Sequence, residues 1–206
     1  LMKLVSICIA TYNRPAALLN CLNSICVAKK NFQIDFEVCI SDNDNKNTNL
    51  NIVNKYKSTL PILYKQNEKN LGSTKNMLLS SELSTAKFIW LLGDDDMLLP
   101  NSFKIIDEIT NNKNNFDVDF FFLNSICLNS DYVFSQEQPF NTNLLPTKIT
   151  KFSNYKIEKK LEFKNLINPK ISFDFLGGQF LSLFKRSVWE KNKNILSEKF
   201  IKDEKR

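Results

Sequence analysis

The chain is predicted to be an α/β protein: a Rossmann-like, mainly parallel sheet with helices on both faces. Three observations lead there. Mostly apolar runs recur at residues 4–10, 36–40, 62–65 and 88–92, and near-unbroken apolar strands are those covered on both faces. The segments between them carry apolar residues at helical spacing. Strand and helix signals alternate through the first half, the pattern of a layered α/β sheet. With 206 residues, the chain is long enough to bury one sizeable core, so a single domain spanning 1–206 is expected.

The first strand, residues 4–10, is followed by Arg14-Pro15, where proline suits the first turn of a helix carrying Ala16, Leu18, Leu19, Leu22 and Ile25. Residues 36–40 are a second strand, followed by an Asx-rich loop at 43–47 and a helix over 50–57. A third strand at 62–65 leads to Gly72-Ser73, with Ser73 as expected N-cap of a helix through Leu83. Residues 88–92 form a fourth strand, 100–111 a further helix and 118–128 a fifth strand. Beyond Asp131 the pattern loosens into an Asn-, Lys- and Phe-rich stretch with one helix near 158–166. A strand at 179–184 and a short helix from Arg186 close the chain.

Composition narrows the chemistry. A formal charge of +6 suits a partner bearing phosphates, whether a nucleotide, a lipid diphosphate or an anionic membrane face. The basic residues are scattered rather than interleaved with aromatics in a run, which argues against nucleic acid. Five cysteines lack the close CxxC spacing of a structural zinc site and read as small buried thiols in a reducing cytoplasm. No cleavable leader is expected at this end, since Lys3 runs straight into a strand pattern. The longest apolar segments fall short of the roughly 20 residues that span a bilayer, so membrane contact would be peripheral. Histidine is absent, which leaves proton transfer to Asp, Glu, Lys, Tyr or Cys. Any resident metal would then be a hard cation in an oxygen-rich site, Mg²⁺ or Mn²⁺.

Ligands of open parallel sheets bind beyond the carboxyl ends of the strands. Four such places carry polar residues: Thr11-Tyr12-Asn13-Arg14, Ser41-Asp42-Asn43-Asp44, Asn70-Leu71-Gly72 through Lys75-Asn76, and Gly93-Asp94-Asp95-Asp96. The acidic triplet is the most informative. Three adjacent carboxylates repel one another, and a divalent cation completed by diphosphate oxygens relieves that repulsion. The competing reading makes them solvated caps of the next helix, although three exceed what a cap requires. Asp42 is either an acceptor for base or ribose donors or a turn-forming residue. Lys75 falls in a first helical turn, where a cation is unfavourable unless an anion is near; otherwise it is a solvated lysine.

Together these segments resemble the family 2 glycosyltransferases of GT-A fold. Val5-Ser6-Ile7-Cys8-Ile9-Ala10-Thr11-Tyr12-Asn13-Arg14 is similar to the family's opening, and Glu37-Val38-Cys39-Ile40-Ser41-Asp42-Asn43 to its second strand. Asn70-Leu71-Gly72 through Lys75-Asn76 resembles its mid-domain signature, and residues 92–100 its DXD-type metal motif followed by proline. The pattern departs at Gly93, where an aspartate often stands, and at Lys75, where arginine is frequent.

The resemblance implies one GT-A catalytic domain. Residues 1–100 would bind the nucleotide sugar, and 101–206 would form an acceptor-side half cut short at its C-terminus. Thr11, Asn13 and Asp42 would line the base and ribose pocket, Asp94 would lie nearer the ribose, and Lys75 would neighbour the base or diphosphate. Asp95 and Asp96 would ligate Mg²⁺ or Mn²⁺. The Gly177-Gly178 turn would flank the acceptor, with Glu198, Asp203 or Glu204, foremost Asp203, as general base unless the base lies beyond residue 206.

The implied reaction transfers a sugar with inversion from a nucleotide-diphosphate donor to a glycan or lipid-linked acceptor hydroxyl. It would take place in the cytoplasm, at the inner face of the membrane. The irregular stretch 131–171 would set acceptor choice, since specificity tends to reside in long loops over a rigid sheet. Two rivals share the carboxylate-rich sheet edge. A nucleotidyltransferase would show a glycine-rich loop after the first strand, which residues 11–15 lack. A catalytically silent nucleotide-sugar-binding module would lack a base.

Overall fold

In the computed structural model, which describes residues 2–151, 160–162, 178 and 181–203 (196–203 as helix backbone), apolar alternation along each central strand places two helical layers on the sheet. Val5, Ile7 and Ile9 of β1 (Val5–Thr11) face one way, together with Val38 and Ile40 of β2 (Phe36–Asp42) and Trp90 and Leu92 of β4 (Phe88–Gly93). Against them pack α1 (Pro15–Asn31), α2 (Leu50–Tyr56) and α4 (Ser102–Asn111) through Leu18, Leu22, Ile25, Val53, Phe103 and Ile106. Cys8, Cys39 and Ile89 face the other way, toward Leu78 and Leu83 at α3 (Ser73–Glu82) and Trp189 of a last helix, α6 (Arg186–Asp203). Helices thus cover both faces, as the unbroken apolar runs predict.

The strand order is β3-β2-β1-β4-β8-β5, with β3 at Ile62–Gln66. Strands β1 to β4 run parallel in register, Thr11 beside Asp42 and Ala10 beside Gly93. The chain steps outward from β1 to β3 and then returns to place β4 on the other side of β1, which makes the β1–β4 boundary a topological switch point.

The second half departs from expectation. The fifth strand predicted over residues 118–128 is broken. Only β5 (Phe120–Phe122) joins the sheet, as an edge, while β6 (Ile126–Cys127) pairs with β7 (Thr150–Lys151) in a separate ribbon. The chain turns away after Leu123, whose N–H still bonds to Leu181 at 2.8 Å, and the next side chain, Asn124, accepts from the Ser125 N–H. Strand β8 (Ser182–Lys185) inserts antiparallel between β4 and β5; residues 179 and 180 of the predicted strand lie outside the described residues.

Four of the five cysteines are buried, as expected. Cys127, in the two-stranded ribbon, is exposed. Ser73 is the first residue of α3 rather than its cap: Gly72 takes that place at φ 80°, a left-handed conformation that glycine adopts without strain. The helix expected to be short from Arg186 runs 18 residues, to Asp203. The remaining departures among these elements are shifts of a few residues at their ends. An α5 (Ser130–Ser135) precedes the loop that crosses α1. Of the helix expected near 158–166, the described residues 160–162 are not helical; the rest of that segment, residue Gly177 and the side chains of Glu198, Asp203 and Glu204 lie outside the described residues.

Candidate functional site

The carboxyl ends of β1, β2 and β4 converge on one edge, and the switch point is bridged by side chains. Thr11 Oγ1 donates to Asp94 Oδ2 at 2.8 Å, tying β1 to the residue just after β4. Asn13 sits at φ 50°, a left-handed turn that asparagine tolerates better than most residues. The chain thereby enters α1 with Arg14 leaning back over the acidic triplet. Its Nη1 donates to Asp94 Oδ1 at 2.8 Å and its Nη2 to Asp95 Oδ2 at 2.7 Å. Tyr12, beside it, is 49% exposed and is the large aromatic on this rim.

The three carboxylates are not equivalent. Burial pushes Asp94 upward from the ordinary carboxylate value, against the opposing pull of the Thr11 hydroxyl, the Arg14 charge and the Tyr12 N–H. The Asp95 side chain is 56% exposed and has one oxygen on Arg14. Asp96 folds back so that its Oδ2 accepts from Gly93 N–H at 2.9 Å; burial, reinforced by Asp95 and Asp94, pushes it up to about 6. A side chain at Gly93 would meet Asp96 Oδ2 at 2.6 Å and Asp95 Oδ1 at 2.9 Å, so this glycine leaves room for both carboxylates.

The raised Asp96 value has a sign that can be checked. A carboxyl that binds its proton more tightly when folded stabilises the fold fully below the unfolded value near 4. That contribution is lost as pH rises through about 6. An Asp96→Asn variant is therefore expected to gain stability over the parent progressively between pH 4 and 6 and to hold the gain above it. Urea midpoints across that range test this, and a constant difference would refute it.

Asp42 belongs to the floor of the site. It is fully buried, and both its oxygens are taken: Oδ1 by the Asp44 N–H (2.9 Å) and the Asn49 amide (3.1 Å), Oδ2 by the Tyr64 hydroxyl (2.9 Å). Burial raises its pKa, with the Asp44, Tyr64 and Asn49 donors opposing. Around it runs a carboxamide network. Asn76 Nδ2 donates to Thr11 O at 2.9 Å; Asn67 Nδ2 donates to Asn76 Oδ1 at 3.1 Å and to Asn43 Oδ1 at 3.0 Å; Asn43 Nδ2 donates to Asn70 Oδ1 at 2.9 Å. These bonds hold the mid-domain signature against the tips of β1 and β2. Lys75, half-buried, is thereby set beside Asn76 in the first turn of α3.

The structure thus brings Thr11, Asn13, Asp94, Asp95 and Asp96 to one rim, with Lys75 on the neighbouring helix and Asp42 beneath. Sequence reasoning assigned no task to Arg14, Tyr12, Tyr64, Asn49 or Asn67. The first two stand in the opening motif and could have been found there. Tyr64, Asn49 and Asn67 give no local signal, because their partners lie on other elements.

Among the described residues no three Asp, Glu or Cys side chains converge into a ready-made metal cage. A Mg²⁺-type ion is usually held by one or two carboxylates plus substrate phosphates. Asp95, open on one oxygen, fits the single-carboxylate mode best. A cavity of about 620 Å³ lies elsewhere, between α1 and residues 136–144, and none of the strand-tip residues lines it.

The family model for glycosyl transferase family 2 matches residues 6–185. The chain belongs to that family. This family 2 chain is 38% identical over 105 residues to the abequosyltransferase RfbV of Salmonella typhimurium strain LT2, an alignment covering 50% of the chain and 31% of the relative. Among solved structures it is similar to S. aureus TarS 1–349 in complex with UDP-GlcNAc, with TM-score 0.60, 16% identity, and 93% of this chain and 48% of that one covered. Another crystal structure of TarS 1–349 gives TM-score 0.51 at 23% identity over 59% of this chain and 35% of that one. These likenesses bear out the GT-A fold. The chain spans about a third of the length of the curated relative and a third to a half of these solved chains.

Proposed function

We propose that this family 2 domain transfers a sugar, with inversion, from a nucleotide-diphosphate donor bound at the β1–β4 switch point. The acceptor would be a hydroxyl of a glycan or lipid-linked carrier. The observation that carries the reading is the Thr11–Asp94 bond across the switch point, with Arg14 spanning Asp94 and Asp95. The neighbour TarS was solved with UDP and with UDP-GlcNAc, and the curated relative is named as an abequosyltransferase, which supports a nucleotide-sugar donor.

In this reading exposed Tyr12 offers a face to the base, and Thr11, Asn13 and Asp94 border the ribose. Asp42 acts from below, through the loop it holds. Asp95, and Asp96 once turned outward, would hold Mg²⁺ or Mn²⁺, which when bound supplies positive charge against the leaving diphosphate. Lys75 and Arg14 add fixed cationic charge at the same edge, where charge develops on the leaving group. The acceptor oxygen bonds to the anomeric carbon from the face opposite the leaving group as the bond from that carbon to the phosphate oxygen breaks. The hydroxyl proton passes to a carboxylate, with Asp203 the proposed base.

We place residues 1–100 as the donor half and 101–206 as the acceptor side of one domain. Action at the cytoplasmic face of a membrane is part of the proposal. Among the described residues no helix is long and apolar enough to cross a bilayer, so contact would be peripheral.

The test is a panel of nucleotide sugars incubated with the protein and Mn²⁺. Slow release of nucleoside diphosphate from one donor, stopped by chelator, is the expected result. If no donor is hydrolysed and no nucleoside diphosphate binds, the reading fails. Binding without hydrolysis would favour the silent module.

A further inference from the structure

Arg14 has a geometry that the donor-site reading does not by itself require. Its fork is divided between two side chains, with Nη1 2.8 Å from Asp94 Oδ1 and Nη2 2.7 Å from Asp95 Oδ2. Guanidinium stays charged at every pH at which proteins survive, and its planar donors match carboxylate and phosphate oxygens. With Thr11 on Oδ2, Asp94 has a described partner on each oxygen. Asp95 has one oxygen engaged and one open.

The two arms of the fork differ in environment. The Asp94 side chain is 5% exposed, so its pairing with Arg14 is shielded from water. The Asp95 and Arg14 side chains are 56% and 51% exposed, so the outer arm is screened and exchanges readily. The inner arm anchors the guanidinium while the outer one can let go.

The geometry points to Arg14 as an internal counter-cation that holds the Asp94–Asp95 pair until a nucleoside diphosphate takes over its outer arm, so that divalent ion and nucleotide load together. The inference rests on the donor-site reading. A divalent ion arriving alone at the open oxygen of Asp95 sits beside the guanidinium on the other, and that positive charge opposes binding. A diphosphate removes that obstacle, because its oxygens accept the freed N–H donors in the same bidentate manner. The coupling is reciprocal: whatever the nucleotide gains from the ion, the ion gains from the nucleotide. Arg14 is thus a positioning residue that couples the loading of the ion to that of the nucleotide.

The experiment measures Mn²⁺ binding to the purified chain by electron paramagnetic resonance of the free ion, without nucleotide. Affinities for UDP, GDP, CDP and ADP are measured by calorimetry with Mn²⁺ or with chelator. Arg14→Ala is expected to bind Mn²⁺ alone on the order of tenfold more tightly than the parent, with nucleoside diphosphate affinity in chelator reduced. Arg14→Lys, a single-point cation that cannot span both carboxylates, should fall between and guards against a folding defect in the alanine variant. A purely structural role for Arg14 would not tighten ion binding.

Unchanged or weaker Mn²⁺ affinity in both variants, with the parent still binding a nucleoside diphosphate, overturns the assignment and leaves the donor site standing. A parent that binds no nucleoside diphosphate under either condition sinks the donor site, and this inference with it.

Discussion

An Asp95→Asn variant is expected to lose at least about a hundredfold in turnover, the scale set by removing one preorganised electrostatic group at a reacting centre. Of the three adjacent carboxylates, Asp95 is the one offered to solvent. Asp94 is enclosed by Thr11 and Arg14, and Asp96 is turned onto the Gly93 N–H. Amide for carboxylate keeps the shape and removes the charge a hard cation requires. The measurement is release of nucleoside diphosphate from whichever sugar donor the panel identifies, at saturating Mn²⁺, for parent and variant. Parent protein in excess chelator should fall to a comparable rate. A variant that keeps full activity when the ion is stripped away would end the metal-assisted reading.

The second large effect concerns the opposite end of the strands. Glu37 is fully buried, and its carboxylate gathers four donors from separate segments: Lys3 Nζ at 2.8 Å, Ser6 Oγ at 2.6 Å, Thr85 N–H at 2.6 Å and Thr85 Oγ1 at 2.9 Å. Ser6 Oγ also accepts from the Ala86 N–H at 3.1 Å, so the cluster staples the starts of β1 and β2 to the approach to β4. Glu37→Ala leaves two hydroxyls, an amide and an ammonium without this acceptor. Lys3 is partly exposed, so the cost falls on the hydroxyls and the amide: at about 1–3 kcal/mol for each buried donor left unsatisfied, a total of about 3–5 kcal/mol is expected.

Urea unfolding should show a loss of that order. Nucleotide binding by the fraction still folded should be intact, because five residues of strand, roughly 17 Å, separate Glu37 from Asp42. A loss under about 1 kcal/mol would mean the cluster is no staple.

The same carboxylate gives an acid limb. Burial pushes Glu37 up, but Lys3, Ser6 and Thr85 together outweigh it and hold it below the ordinary glutamate value. A depressed folded pKa stabilises above the unfolded value near 4.3 and is lost as pH falls through the folded one. The difference between parent and Glu37→Ala should therefore narrow on acidification below pH 4.

Much of the fold over residues 1–100 was legible in the sequence. Residues 4–10, 36–40 and 88–92 read as strands buried on both faces, and they are β1, β2 and β4 with ends shifted by a residue or two. Pro15 marks the start of α1 as expected. The second half was less legible. Residues 118–128 read as one continuous strand because Phe and Leu there give the same apolar signal whether a strand continues or the chain turns out after Leu123. The antiparallel insertion of β8 leaves no local mark at all, since pairing direction is a property of two distant segments.

The site divides in the same way. Residue types alone set which groups stand after the strands, carboxylates, amides and fixed cations without histidine, because acidic and Asx residues cluster there. Which oxygen meets which donor was decided only by the tertiary structure. Thr11 reaches Asp94 across 83 positions and Arg14 reaches Asp95 across 81, while Asp42, which the resemblance set in the lining of the base and ribose pocket, is buried with both oxygens taken by Asp44, Asn49 and Tyr64. The reason is physical. Periodicity records which face of an element is dry, a matter of neighbours a few residues away. Hydrogen bonds between strand tips depend on strand order, and here that order reverses at β1.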